Sequence, residues 1–233
     1  MDTTILVNII AFIVFILCIL IYGWKLRSGM KKPGLARRGL LNVFYRQWVH
    51  RMSVGENTYL AVQTMRNLIM SVTFLSSSIL ILLGFLAQSS VLSGEEFLNI
   101  NLPLSIMLQQ YKLFVLFFIL VFSLLMFLLS LRHMVRFNIL IGIPNEVIEK
   151  SGTEEIKKET SVQYQLDASL FQSSVFLKAM NRFTYGIRGV YFAITVLVWF
   201  ISAYAFILAS ILVTIILIRY HDIRPPKEDA TLI

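Results

Sequence analysis

The stretch LFVLFFILVFSLLMFLLSL, residues 113–131, decides how this chain is to be read. It carries no charge, and its apolar residues surround the whole helix instead of forming one stripe. A helix rises about 1.5 Å per residue, so about 20 such residues cross the roughly 30 Å hydrocarbon core of a bilayer. Three further uncharged stretches pass the same test: residues 3–24, 67–87 and 189–218. Lipid leaves backbone amides no partner outside the segment, so each stretch must be helical. Segments of about 10 alternating residues, the mark of a membrane barrel, are absent. The expected fold is all-α: a four-span helical bundle, one integral membrane domain over residues 1–233. The 30-residue run 189–218 exceeds the lipid thickness and must tilt or leave it at one end.

Composition agrees with this. The chain has 233 residues, 57% of them hydrophobic and 15% charged, with mean hydropathy +0.75. A soluble domain holds roughly 25% charged residues, so too little polar surface exists here to coat one. The lone Cys18 excludes an internal disulfide. The net charge of +8 invites a nucleic-acid reading, but its distribution argues against one. Loops 25–66 and 132–188 hold all but four of the 21 Lys and Arg residues. Cytoplasmic loops are enriched in these residues. Both loops are therefore expected inside, with both termini outside the cell membrane. The first stretch lacks a basic start and a small-residue cleavage site, so it reads as an uncleaved anchor.

The inner loops carry structure of their own. Leu40, Leu41, Phe44, Tyr45, Trp48, Val49 and Met52 recur at helical spacing among basic residues. That pattern predicts an amphipathic helix in the headgroup plane. Ser53 and Glu56 fit a capping box opening a helix that runs to residue 87 and overshoots the lipid. Pro103 suits a helix start and Gly142 with Pro144 a stop, so the third helix should extend likewise. Residues 146–159 read as a charged linker. An amphipathic run follows, with Tyr164, Ala168, Phe171, Val175, Ala179 and Phe183 on one side. Together the two loops and the extended helix ends predict a small helical layer.

Motifs for catalysis are missing. No phosphate-binding glycine loop, nucleophile elbow or paired metal-binding histidines occur, and His50, His133 and His221 have no ligand spacing. No cofactor, metal or enzymatic activity is expected. Polar residues on the spans are the informative ones, because lipid makes them costly. Gln63, Asn67, Ser71 and Ser78 fall on one face of the second helix as a polar stripe. The stripe serves either helix packing or a wet path. Arg66, Arg132, Arg136 and Arg188 stand at the inner ends of spans. Guanidinium forks favour phosphate and carboxylate, so these four form a candidate inner site for an anion or an anionic lipid headgroup. Snorkelling side chains that merely set topology are the plainer reading. Gly189-x-x-x-Ala193 and Ala205-x-x-x-Ala209 are signals for close helix packing.

The same stretches carry a resemblance. Arg46-Gln47-Trp48-Val49, the run Glu56 to Met70 with Leu60-Ala61-Val62-Gln63-Thr64-Met65-Arg66-Asn67 at its centre, Ser130-Leu131-Arg132, Gly186-Ile187-Arg188-Gly189-Val190-Tyr191-Phe192 and Trp199 are similar to the signature of the domain-of-unknown-function 599 family. The resemblance covers nearly the whole chain. It implies an integral membrane protein of a type found in prokaryotes and plants, points to the same arginines, and brings no activity with it.

Two functions remain open from the sequence. One is a non-enzymatic membrane protein that forms homo-oligomers or joins a membrane complex. The other is a channel or transporter for a small ion or solute, such as an anion, lined by the polar face of the second span. A lipid-active enzyme ranks below both, since no nucleophile or carboxylate pair supports it.

Overall fold

A computed structural model describes residues 3–31, 37–53, 58–88, 104–160 and 166–222. Among them every element is helical: α1 Thr3–Lys31, α2 Arg37–Ser53, α3 Thr58–Gln88, α4 Leu104–Leu140, α5 Asn145–Thr160, α6 Ala168–Trp199 and α7 Ala203–Ile216. A π-helical turn, Leu217–Asp222, follows α7. Three helical segments are long and apolar enough to cross a membrane: Ile5–Gly29, Thr58–Gln88 and Ile106–Leu140. Each is longer than the uncharged core read from the sequence, because helix-compatible residues flank that core and none of the three contains Pro.

The stop after α4 forms as its sequence demands. Ile141 N–H donates to Phe137 O at 2.9 Å, Gly142 to Ile139 O at 3.1 Å and Ile143 to Leu140 O at 3.2 Å. This tightens the last turn. Pro144 has no N–H to continue the ladder. Its carbonyl instead accepts from Val147 at 3.1 Å and Ile148 at 3.2 Å, opening α5. The segment expected as a charged linker is therefore a helix. It is held by tertiary bonds: Glu149 Oε1 accepts from Ala168 N–H, and Thr153 Oγ1 from Leu166 N–H, both at 3.3 Å. Ser53, expected to cap a helix start, instead closes α2, where its hydroxyl donates to His50 O at 3.1 Å. Glu56 lies outside the described residues, as do Pro103 and Tyr164.

The chain divides into two compact units. In the first are α1, residues 78–88 of α3, 104–125 of α4, 185–199 of α6, and α7. Its core is aromatic. Phe15 packs edge-on against Phe192 at 5.9 Å, and Tyr22 meets Phe192 at 6.0 Å. Gly189 lies so close to α4 that a methyl group on it would sit 2.9 Å from Ser123 Cβ. Ser123 Oγ donates to Gly186 O at 2.6 Å, stitching the two helices at the small residues.

The run 189–218 corrects an expectation. It is two helices, separated by a turn at Phe200–Ser202. Phe200 N–H reaches Leu197 O at 3.2 Å, Ile201 reaches Val198 O at 3.1 Å, and Ser202 adopts an extended backbone before α7 begins. The cause is tertiary. Trp199 is 1% exposed, and its indole N–H donates to Asn8 Oδ1 at 2.9 Å. Lys112 Nζ donates to Trp199 O at 3.0 Å, which satisfies the carbonyl where α6 stops. Phe206, in the second turn of α7, folds back to stack on Trp199 with ring centroids 4.5 Å apart.

The turn reverses the chain. A cleft of about 320 Å³ is lined by Val7 and Asn8 of α1 and by Ser202, Ala203 and Tyr204, so α7 starts beside the start of α1. The body of α7 and the π-helical turn then pack along α1. Phe206, Ser210, Thr214 and Leu217 form the buried stripe. α7 therefore runs in the same direction as α1. Its end lies opposite Thr3 within this unit.

In the second unit are residues 42–53 of α2, 58–77 of α3, 126–140 of α4, α5, and 168–184 of α6. Trp48 packs on Phe176 at 5.3 Å and on Phe137 at 6.3 Å, while Phe137 and Phe176 meet at 4.8 Å. Val49 and Met52 are buried. Much of the apolar stripe of α2, read from sequence as resting on headgroups, is thus used inside the unit, and Phe44 stays exposed. Gln172 Nε2 donates to Leu140 O at 3.1 Å, and Asn145 Nδ2 to Ser53 O at 3.4 Å. The face of α6 seen from sequence is rotated: Phe171 is exposed, and Gln172, Phe176 and Leu177 are buried instead.

Candidate functional site

Helix α3 buries one narrow stripe, Ala61, Met65, Val72, Ser76, Ile79 and Leu83. The polar stripe Gln63, Asn67, Ser71 and Ser78 is exposed. At 100° per residue the two stripes are about 140° apart, so the polar face points away from the chain's own packing. Its members do not demand partners equally. Ser71 Oγ donates to Asn67 O at 3.0 Å, and nearby Thr64, Thr73 and Ser77 bond the carbonyl four residues back at 2.9 Å. These hydroxyls are satisfied within the helix. The side-chain amides of Gln63 and Asn67 have no hydrogen-bond partner among the described residues, and they concentrate the polarity of the face.

The four arginines fall in two units. Arg188 belongs to the first unit and is 9% exposed. Its guanidinium lies 5.5 Å from the Tyr191 ring centroid, an attraction between cation and π face. With Tyr22, Tyr185, Phe118, Phe122 and Phe192 it lines an apolar cleft of about 410 Å³. Arg66, Arg132 and Arg136 belong to the second unit, and all three are exposed. Arg132 and Arg136, one helical turn apart on α4, flank His133. That histidine is also acted on electrostatically by Arg182 and Lys178 of α6. Arg66 is not among the groups that act on it.

The grouping follows from how α4 and α6 pair in this unit. Ser130 Oγ donates to Ala179 O at 2.8 Å, and Phe127 meets Phe183 at 5.8 Å. This antiparallel register sets 127–132 beside 178–183, so Lys178 comes level with Arg132. Both ring nitrogens of His133 are buried, and neither has a hydrogen-bond partner among the described residues. His133, Lys178 and Arg182 are absent from the site read from sequence. The available signal was the four-residue spacing of Lys178 and Arg182, which matches that of Arg132 and Arg136. It becomes readable only once α6 is known to begin at Ala168. No cluster of three His, Cys, Asp or Glu side chains suited to a metal ion occurs among the described residues.

Comparison with known families settles kinship. A family model described as "protein of unknown function, DUF599" matches residues 10–225. The chain belongs to the DUF599 family. Comparison with curated proteins and with solved structures gives no match. The matched span takes in every arginine of the expected site and the whole of α3.

Proposed function

We propose that this DUF599 protein is a non-enzymatic component of the cell membrane that works as a homo-oligomer or as a subunit of a membrane complex, joined through the amide-bearing face of α3. The observation behind this reading is the exposure of Gln63 and Asn67 on the side of α3 opposite its buried stripe. An amide facing hydrocarbon leaves its donors and acceptor unmet, at a cost of several kcal/mol on the harshest transfer scales. Across a helix–helix contact the same groups contribute up to about 2 kcal/mol. A second copy presenting the same face meets both needs.

On this reading the N-terminus is outside. Lys25 and Arg27, at the far end of α1, are inside, with Arg219 on their side. Lys112 then becomes the exception to the inward bias of positive charge, and its bond to Trp199 O accounts for it. Four of the crossings are α1, α3, α4 and the apolar end of α6, and α7 returns.

A single-cysteine Asn67→Cys variant, made with Cys18→Ser, tests the interface. Oxidative crosslinking in native membranes should give a covalent dimer at Asn67→Cys and none at Thr73→Cys, which is exposed about 120° around α3 from Asn67. Equal crosslinking at both, or a strict monomer after mild extraction, contradicts the reading.

The runner-up is a channel or transporter for a small ion or solute. The same outward face favours it, since a symmetric ring would line a lumen with copies of Gln63, Asn67, Ser71 and Ser78. Flux into liposomes that falls on Asn67→Leu substitution supports this second reading, and absence of flux for every ion tested removes it.

A further inference from the structure

Four cations crowd a histidine with no acid among them. Arg132, Arg136, Lys178 and Arg182 all act on His133, and no carboxylate does. None of these four side chains has a hydrogen bond or ion pair among the described residues. Like charges held this close repel, and the strain persists only if packing elsewhere imposes it or a counter-charge relieves it. Here packing imposes it: the Ser130–Ala179 bond and the Phe127–Phe183 contact fix α4 against α6 in the antiparallel register that sets Lys178 level with Arg132, with Arg136 and Arg182 about one turn to either side. Both ring nitrogens of His133 are buried in their midst without a partner among the described residues. Buried polar atoms are nearly always paired, so a water, an ion or a ligand is what answers such atoms.

We propose that α4 and α6 of the second unit form a binding site for a phosphate-bearing anion, held over His133 by Arg132, Arg136, Lys178 and Arg182. The chemistry is matched on both sides. A phosphate offers several acceptor oxygens to two guanidinium forks and an ammonium, and these charge-assisted bonds are short and strong. One of its oxygens accepts from an imidazole N–H, which removes the orphan. The site differs from the one suggested by the arginines alone: Arg66 and Arg188 have no part in it. It stands apart from the α3 interface, and either can fail without the other. The phosphate belongs to an anionic phospholipid headgroup or to a free phosphate ion, and the two are separable.

The test uses the full chain in neutral nanodiscs of phosphatidylcholine. The ¹⁵N resonances of the His133 ring are followed while inorganic phosphate is added at constant ionic strength, with His50 and His221 as internal references. In a second arm phosphatidylglycerol replaces part of the lipid. A saturable shift confined to His133 with phosphate alone assigns a free-ion site. A shift with phosphatidylglycerol and none with phosphate assigns a headgroup site. The double variant Arg136→Gln/Arg182→Gln should weaken the response at least about tenfold, as expected for losing two charge-assisted bonds. No shift in either arm, an equal shift at all three histidines, or unchanged affinity in the double variant overturns the proposal. The wild-type titration stands by itself should the double variant fail to fold.

Discussion

Trp199 and His133 both bring ring nitrogens out of contact with water, and the chain treats them in opposite ways. The indole N–H of Trp199 meets Asn8, the carbonyl of the same residue meets Lys112, and Phe206 closes over the ring. Every polar group at that knot has an answer from another helix. Around His133 the neighbours are cations and neither nitrogen is answered. The first arrangement is what a fold needs to turn a helix back on itself. The second adds nothing to stability as it stands, and the proposed anion would answer it.

Substitutions can sharpen this contrast. Trp199→Ala should cost the most, about 3–5 kcal/mol of stability, because it empties a fully buried aromatic site and removes the indole donor from Asn8. Denaturant unfolding in detergent measures it, and a loss below about 1 kcal/mol would mean that the knot does not hold the turn. Gly189→Ala should cost about 1–3 kcal/mol, since its methyl meets Ser123 Cβ and one helix must shift.

At the start of α6, Asp167 Oδ1 accepts from Leu170 N–H at 2.9 Å and from Ser169 Oγ at 3.0 Å, an N-cap whose removal in Asp167→Ala should cost about 1 kcal/mol. The Leu170 N–H holds this carboxyl below its usual range. Its contribution is therefore whole above the unfolded value of about 4 and fades as pH falls through the lower folded one. Asp167→Asn should keep the cap and flatten that acid-side loss of stability. His133→Phe should change stability least, within about 0.5 kcal/mol, because it removes unpaired nitrogens and keeps the ring volume. A large loss there would make His133 architectural and erase the contrast with Trp199.

Where the physics is local, the sequence announced the structure. Uncharged runs gave α1, α3 and α4, and Pro103 and Pro144 bracketed α4 closely because a missing N–H acts on its own turn. The turn at Phe200–Ser202 was hidden for the converse reason. It contains no Gly or Pro, and its causes, Asn8 and Lys112, lie far away in the chain. Helix α5 was hidden likewise, since Glu149 and Thr153 gain their partners only when α6 starts nearby. Missing that start also conceals Lys178 and Arg182, so the sequence groups the arginines by depth alone. Gln63 and Asn67 were visible as a stripe, but the side of α3 they occupy depends on which residues the fold buries.

The reversal at Phe200–Ser202 is the feature on which the topology rests, and cysteine labelling reads it directly. In a Cys18→Ser background, Thr3→Cys and Arg219→Cys are exposed separately to a membrane-impermeant maleimide on intact cells. The account predicts that Thr3→Cys reacts at once and Arg219→Cys only after the membrane is opened. Labelling of both from the same side would contradict it.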